Sequence, residues 1–142
     1  MCQSILFSFV DIPTTGRLGH GCAIIEIPKV GRGVVAAGGY SHVYGHLKSV
    51  ERLVMKVGED SAKWEWETLE DLPKARFSTT LTPTLDKKGV WMIGGCDESC
   101  KDQEYPSDVY EFSPTDKMVK WKRLEGVRFT GEGHTVATIL AC

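Results

Sequence analysis

The side chains of this chain that could do chemistry fall in a few short stretches. Tyr40-Ser41-His42-Val43-Tyr44-Gly45-His46 holds two imidazoles at a four-residue spacing between two phenols. A His-x3-His pair binds a metal when a helix puts both rings on one side or when a third ligand joins them. The sequence offers neither, so no metal site is expected. The stretch reads instead as a loop in which Tyr40, His42 and Tyr44 contact a partner or stand in solvent. A second polar stretch, Asp97 to Tyr105, is acidic and ends on a further candidate contact, Tyr105. Arg17, Arg76 and Arg128 recur at wide intervals. A guanidinium suits a partner's carboxylate, and it also suits backbone carbonyls or an acid of its own fold. Cys96-x3-Cys100 is the only close pair among five cysteines, and an odd count argues against a complete disulfide framework. Free thiols or one short bridge both remain open; a zinc site does not, for want of a second pair.

No catalytic constellation accompanies these groups. The serines lie in turns and loops, with no nucleophile elbow and no paired base. Gly131-Glu132-Gly133 is followed by a strand-like run rather than a helix, so it does not cradle phosphate. Neither an enzyme nor a bound cofactor is expected. The 142 residues carry a net charge of −2, so nothing suggests a phosphate-binding surface and no nucleic-acid partner is expected. No apolar run approaches the roughly 20 residues that span a bilayer, so no membrane partner is expected. Ile5 to Val10 is too short for a signal-peptide core, which points to the cytoplasm, or to an extracellular setting if Cys96 and Cys100 are bridged.

Short strands must position the loops. Gly33-Val34-Val35-Ala36-Ala37-Gly38-Gly39 has a counterpart 56 positions on, Gly89-Val90-Trp91-Met92-Ile93-Gly94-Gly95. An apolar run closed by two glycines reads as a buried strand followed by a positive-φ exit. Around the first copy the sequence predicts strands at His20–Ile27, Gly33–Gly39, Ser49–Val57 and Trp64–Leu69. Around the second it predicts Phe77–Leu85, Val90–Gly95, Asp108–Phe112 and Met118–Leu124, with Pro83 marking an end, bulge or edge. Trp66-x2-Leu69 repeats as Trp121-x2-Leu124, and Val50-Glu51 as Val109-Tyr110. His20 and His134 open equivalent strands. No helical period runs for a useful length.

This combination resembles the kelch repeat, whose period is about 50 residues. The resemblance rests on Arg17 with His20, Gly38-Gly39 and Trp66, and again on Arg76, Gly94-Gly95, Tyr110 and Trp121. Leu53 departs from it, where Tyr110 leads one to expect an aromatic. The resemblance implies an all-β fold, a partial kelch-type β-propeller made of four-stranded antiparallel blades. Its parts would be the remnant of a preceding blade (1–16), two blades (17–73 and 74–127) and the first strand of another (128–142). Gly38, Gly39, Trp66, Gly94, Gly95, Tyr110 and Trp121 would be structural motif residues. Trp64 and Trp66, on one face of a strand, would pack between blades rather than bind ligand. The equivalents of Arg17, Arg76 and Arg128 lie near the channel mouth in such propellers, where some contact acidic partners.

The resemblance implies a protein–protein interaction module, a non-catalytic scaffold whose blade loops meet another protein. Kelch propellers often serve as substrate receptors of cullin ubiquitin ligases, a role marked by BTB and BACK domains that these residues do not include. The alternative is a fragment of a kelch-like enzyme such as a galactose-oxidase-like copper oxidase, for which His20, His42, His46, Tyr40 and Cys22 supply ligand types but no motif. Two blades cannot close a ring, so self-association through open blade faces is also expected.

Overall fold

Glycines and apolar runs set the strand ends. The computed structural model of the chain describes residues 16–58, 61–97, 108–113 and 121–129. The described residues form strands and turns without helix. The strands are β1 (Gly21–Ile27), β2 (Gly31–Ala37), β3 (Tyr40–Ser41), β4 (Gly45–His46), β5 (Val50–Val57), β6 (Ala62–Thr68), β7 (Thr80–Pro83), β8 (Val90–Ile93), β9 (Asp108–Phe112) and β10 (Lys122–Arg128). Two four-stranded antiparallel sheets result, β1-β2-β5-β6 and β7-β8-β9-β10, with β3-β4 as a small hairpin between β2 and β5.

The two sheets are copies in register, not only in sequence. In the first, Ile24 pairs with Val34 and Val34 with Leu53. In the second, Pro83 pairs with Val90 and Val90 with Phe112. Leu53 therefore corresponds to Phe112, and Glu51 to Tyr110. The aromatic missing from the first copy is absent at Glu51, not at Leu53.

The doubled glycines are demanded by the backbone. Gly38 has φ +65°, and a Cβ there would lie 2.3 Å from the Arg76 carbonyl oxygen. Gly95 has φ +89°, and its Cβ would meet Thr79 at 2.8 Å. Only glycine combines that conformation with so close an approach.

The core lies between the sheets. Ala23, Ile25 and Ile27 alternate along β1 toward the second sheet, as a period of two requires. They join Val35, Ala37, Val50 and Val54 from the first sheet and Leu81, Val90, Met92 and Phe112 from the second in one buried cluster. Gly21 approaches so closely that a Cβ would stand 2.9 Å from the Leu81 side chain. Burying each of these larger side chains stabilises by roughly 1.5–3 kcal/mol.

Three expectations differ from the structure. The loop from Tyr40 to Lys48 contains the β3–β4 hairpin. β7 is only four residues long, preceded by Ser78 at φ +52° and ended by Pro83. The last described strand is Lys122–Arg128; of the predicted Met118–Leu124, the residues before Trp121 lie outside the described residues. Between Arg123, opposite Tyr110, and Arg128, opposite Asp108, five steps on β10 face two on β9. Gly126, at φ +74°, lets the chain bulge and carries the strand past Leu124. Arg128 is the last residue of β10. The expected segments 1–15 and 130–142 lie outside the described residues.

Candidate functional site

Each sheet is held at one end by an arginine that runs inward. Arg17 Nη1 donates to the carbonyls of Gly38 (3.0 Å) and Ser49 (2.9 Å). Its Nη2 donates to Ser49 Oγ (2.9 Å) and to Glu51 Oε2 (2.6 Å). The Arg17 and Glu51 side chains are 1% and 2% exposed, a buried ion pair. Arg76 repeats the clamp on the second sheet. Its Nη1 donates to the carbonyls of Gly94 (3.0 Å) and Asp108 (3.3 Å), and its guanidinium sits 5.5 Å from the centre of the Tyr110 ring. Tyr110 occupies the position of Glu51, so Arg76 has a ring where Arg17 has a carboxylate. Among the described residues, Arg76 Nε and Nη2 and Arg17 Nε have no hydrogen-bond partner. Burial pulls both guanidinium pKa values down, and Glu51 opposes this for Arg17.

Beside this clamp stands the hairpin. Leu18 and Tyr40 exchange two backbone bonds (3.0 and 2.9 Å). Leu47 N donates to Gly39 O (2.9 Å), Gly39 N to Arg76 O (2.7 Å) and Arg76 N to Leu47 O (3.3 Å), so three segments tie its base. Tyr40 meets His42 edge-on at 5.9 Å and His46 at 5.4 Å, and His46 lies 5.5 Å from Phe77, which bridges to Cys96 ahead of β7. Val43 N donates to Ser41 Oγ across the turn (3.3 Å). Leu47 is buried under the hairpin, while Val43 (80%) and Tyr44 (72%) stand exposed at its tip. His20, near Gly39, leaves Nδ1 without a partner among the described residues. Burial, and then the charge of Arg17, push its pKa below the ordinary histidine value.

The structure thus brings Tyr40 and His42 together, with Tyr44 at the tip, and adds His46 and Phe77. It turns Arg17 and Arg76 into the sheets, where they hold carbonyls, and puts Arg128 on the exposed end of β10. Tyr105 lies outside the described residues. Gly38 and Gly94 supply carbonyls to the two clamps, while Gly39 and Gly95 carry the chain on at positive φ. Trp121 stacks on Phe112 (centroids 4.7 Å, 15° apart) and donates from Nε1 to Glu70 O (3.3 Å), joining the end of the second sheet to the end of the first. Trp66 is half-buried opposite Leu53, and Trp64 is partly exposed. Cys22 and Cys96 are both disulfide-bonded, against the reading of free thiols; Cys100 lies outside the described residues. Among the described residues, no three His, Cys, Asp or Glu side chains converge as metal ligands.

No family model matches the sequence, and no curated protein matches it. Solved structures match the fold. A fungal alcohol oxidase of the AA5 family, solved in complex with copper, superposes with a TM-score of 0.55 at 13% identity. A chain of RAG in complex with one melted and one unmelted RSS superposes with 0.54 at 18% identity. Each superposition covers 80% of this chain, but only 24% and 37% of those chains. The fold is all-β, built of propeller-like blades. At these identities the likeness is one of fold alone. Among the described residues no helix is long and apolar enough to cross a membrane.

Proposed function

We propose that this chain is a non-catalytic protein-interaction module that offers the β3–β4 hairpin to another protein. The observation that carries this reading is the pairing of an exposed tip, Val43 and Tyr44, with a base tied by backbone bonds from three segments. An apolar and aromatic tip on a rigid support loses little freedom on binding, and tyrosine is favoured at interface hot spots. The disulfide-bonded Cys22 and Cys96 favour an oxidising compartment over the cytoplasm. The test is a quantitative one. A protein captured by the intact chain should bind the Val43→Asp/Tyr44→Ala variant at least about tenfold more weakly, with the urea midpoint of the variant unchanged. Equal affinity would sink the reading.

A second reading, a piece of a copper oxidase, is favoured by the AA5 neighbour and by the meeting of Tyr40, His42 and His46. Tight stoichiometric copper binding, lost in His42→Ala/His46→Ala, would put it first.

A further inference from the structure

On the face of the second sheet that points away from the first there is a cleft of about 320 Å³. Thr84, Asp86, Lys88, Trp91, Glu111 and Ser113 are among the residues that line it. The floor is Trp91, paired across β8 and β9 with Glu111. Its indole Nε1 donates to Glu111 Oε2 at 2.7 Å, which fixes the carboxylate beside the ring. A carboxylate offers about four acceptor sites, so this bond leaves capacity for a second donor. Asp86 closes the rim. It accepts from Thr84 Oγ1 (2.5 Å) and from the Lys88 backbone (3.0 Å), and these bonds, Thr84's first, hold its carboxyl below the usual range. Lys88 on the rim and Lys122 opposite Glu111 are the neighbouring cations, and both are exposed to solvent.

The first sheet shows what this surface has ceased to be. By the shared register, Thr84, Trp91, Glu111 and Ser113 stand where Ile25, Val35, Arg52 and Val54 stand in the first sheet. Those four are buried. Ile25, Val35 and Val54 belong to the cluster that seals one sheet against the other. Arg52 is paired with Glu67 (2.8 Å). In the second sheet two aliphatics have become hydroxyls, one has become an indole, and the charge has reversed. A surface so altered does not match an apolar blade face. It matches a group with a positive charge, several N–H donors and a flat or aliphatic stem.

We infer that this cleft receives an arginine or lysine side chain of a partner polypeptide, with the cation against Trp91 and its donors on Glu111 and Asp86. Stacking on an indole and charge-assisted hydrogen bonds act together on such a group. The inference rests on the interaction-module reading, but it concerns a separate surface, and its test reads that surface directly. In a ¹⁵N-labelled sample of the full chain, the Trp91 indole N–H signal reports the cleft. Titration with N-acetyl-arginine amide should shift it saturably, with N-acetyl-lysine amide acting more weakly. N-acetyl-citrulline amide, which keeps the shape and loses the charge, should leave it in place. Glu111→Gln should weaken the arginine amide about tenfold. Asp86→Asn, in an exposed turn, should weaken it severalfold and serves if Glu111→Gln does not fold. A shift equal for arginine and citrulline amides, a shift that never saturates, or binding indifferent to both substitutions would overturn the inference. Loss of partner binding by the hairpin variant would leave this titration unchanged.

Discussion

Replacing Arg17 with methionine should cost far more than the same change at Arg76, although the two arginines are repeat equivalents. In the first sheet the change leaves Glu51 as a buried carboxylate with its cation gone, and strips a donor from the carbonyls of Gly38 and Ser49. Removing one partner of a buried ion pair costs about 3–5 kcal/mol. In the second sheet Arg76 forms no ion pair with a carboxylate among the described residues, and Asp108 keeps Arg123 as a partner. The carbonyls of Gly94 and Asp108 lose a donor, but two side-chain nitrogens with no partner among the described residues disappear with it. The balance is a loss of about 1–2 kcal/mol. Net stabilities of domains are about 5–15 kcal/mol, so the first change is a large share of the whole. Urea unfolding at one fixed protein concentration measures both. With a slope of about 2 kcal/mol per molar, Arg17→Met should lower the midpoint by about 1.5–2.5 M and Arg76→Met by less than about 1 M. Adding Glu51→Leu to Arg17→Met should recover much of the loss, since the stranded charge goes too. Equal midpoints for the two single variants, or no recovery in the double, would refute the reasoning.

Gly38→Ala should cost more than about 2 kcal/mol, because strain at positive φ adds to a clash with the Arg76 carbonyl. Gly45→Ala, at a similar φ of +73° with nothing within 4 Å, should cost only about 1 kcal/mol, and thermal melts compare the two. His20 has a lowered pKa when folded, so the unfolded chain takes up its proton first. Stability should hold above the unfolded value of about 6.5 and fall as pH drops below it, and His20→Gln should flatten that fall in pH-dependent urea midpoints. Alkylation in denaturant without reductant should leave Cys22 and Cys96 unlabelled by mass spectrometry, whereas labelled thiols would restore the free-thiol reading. Light scattering should find residues 1–142 self-associated, since Ile24, Met55, Val57 and Trp64 are exposed on the first sheet's other face; a monodisperse monomer would contradict this.

Most of the architecture could be read from glycine and from alternation. Asp108–Phe112 matches its predicted strand, and six others fall within three residues at each end, because their ends are set locally by Gly, Pro and charged turns. β3 and β4 escaped because two residues are too few to show a period. β10 slipped because a bulge of three extra residues is a matter of pairing, which the sequence does not display. At the site, Tyr40, His42 and Tyr44 were legible as a loop of recognition types. The inward course of Arg17 was not, since a guanidinium serves a partner and a carbonyl equally well. One signal did bear on it. Where Tyr110 stands in the second copy, the first has Glu51, an acid in an apolar strand that needs a buried cation. Phe77 gave no such sign, because its contact with His46 joins parts of the chain far apart in sequence.

Arg76 belongs to both sheets at once. Its side chain grips Gly94 and Asp108 in the second, while its backbone accepts from Gly39 and donates to Leu47 in the first. The ordered hairpin of one blade is thus conditional on the blade that follows it. The two units should open together rather than in turn, with the cooperativity of neighbouring repeats concentrated in one residue. Thermodynamic reciprocity then reaches across the chain. A protein that clasps Val43 and Tyr44 must slow the hydrogen exchange of amides in β7 to β9, which it never touches.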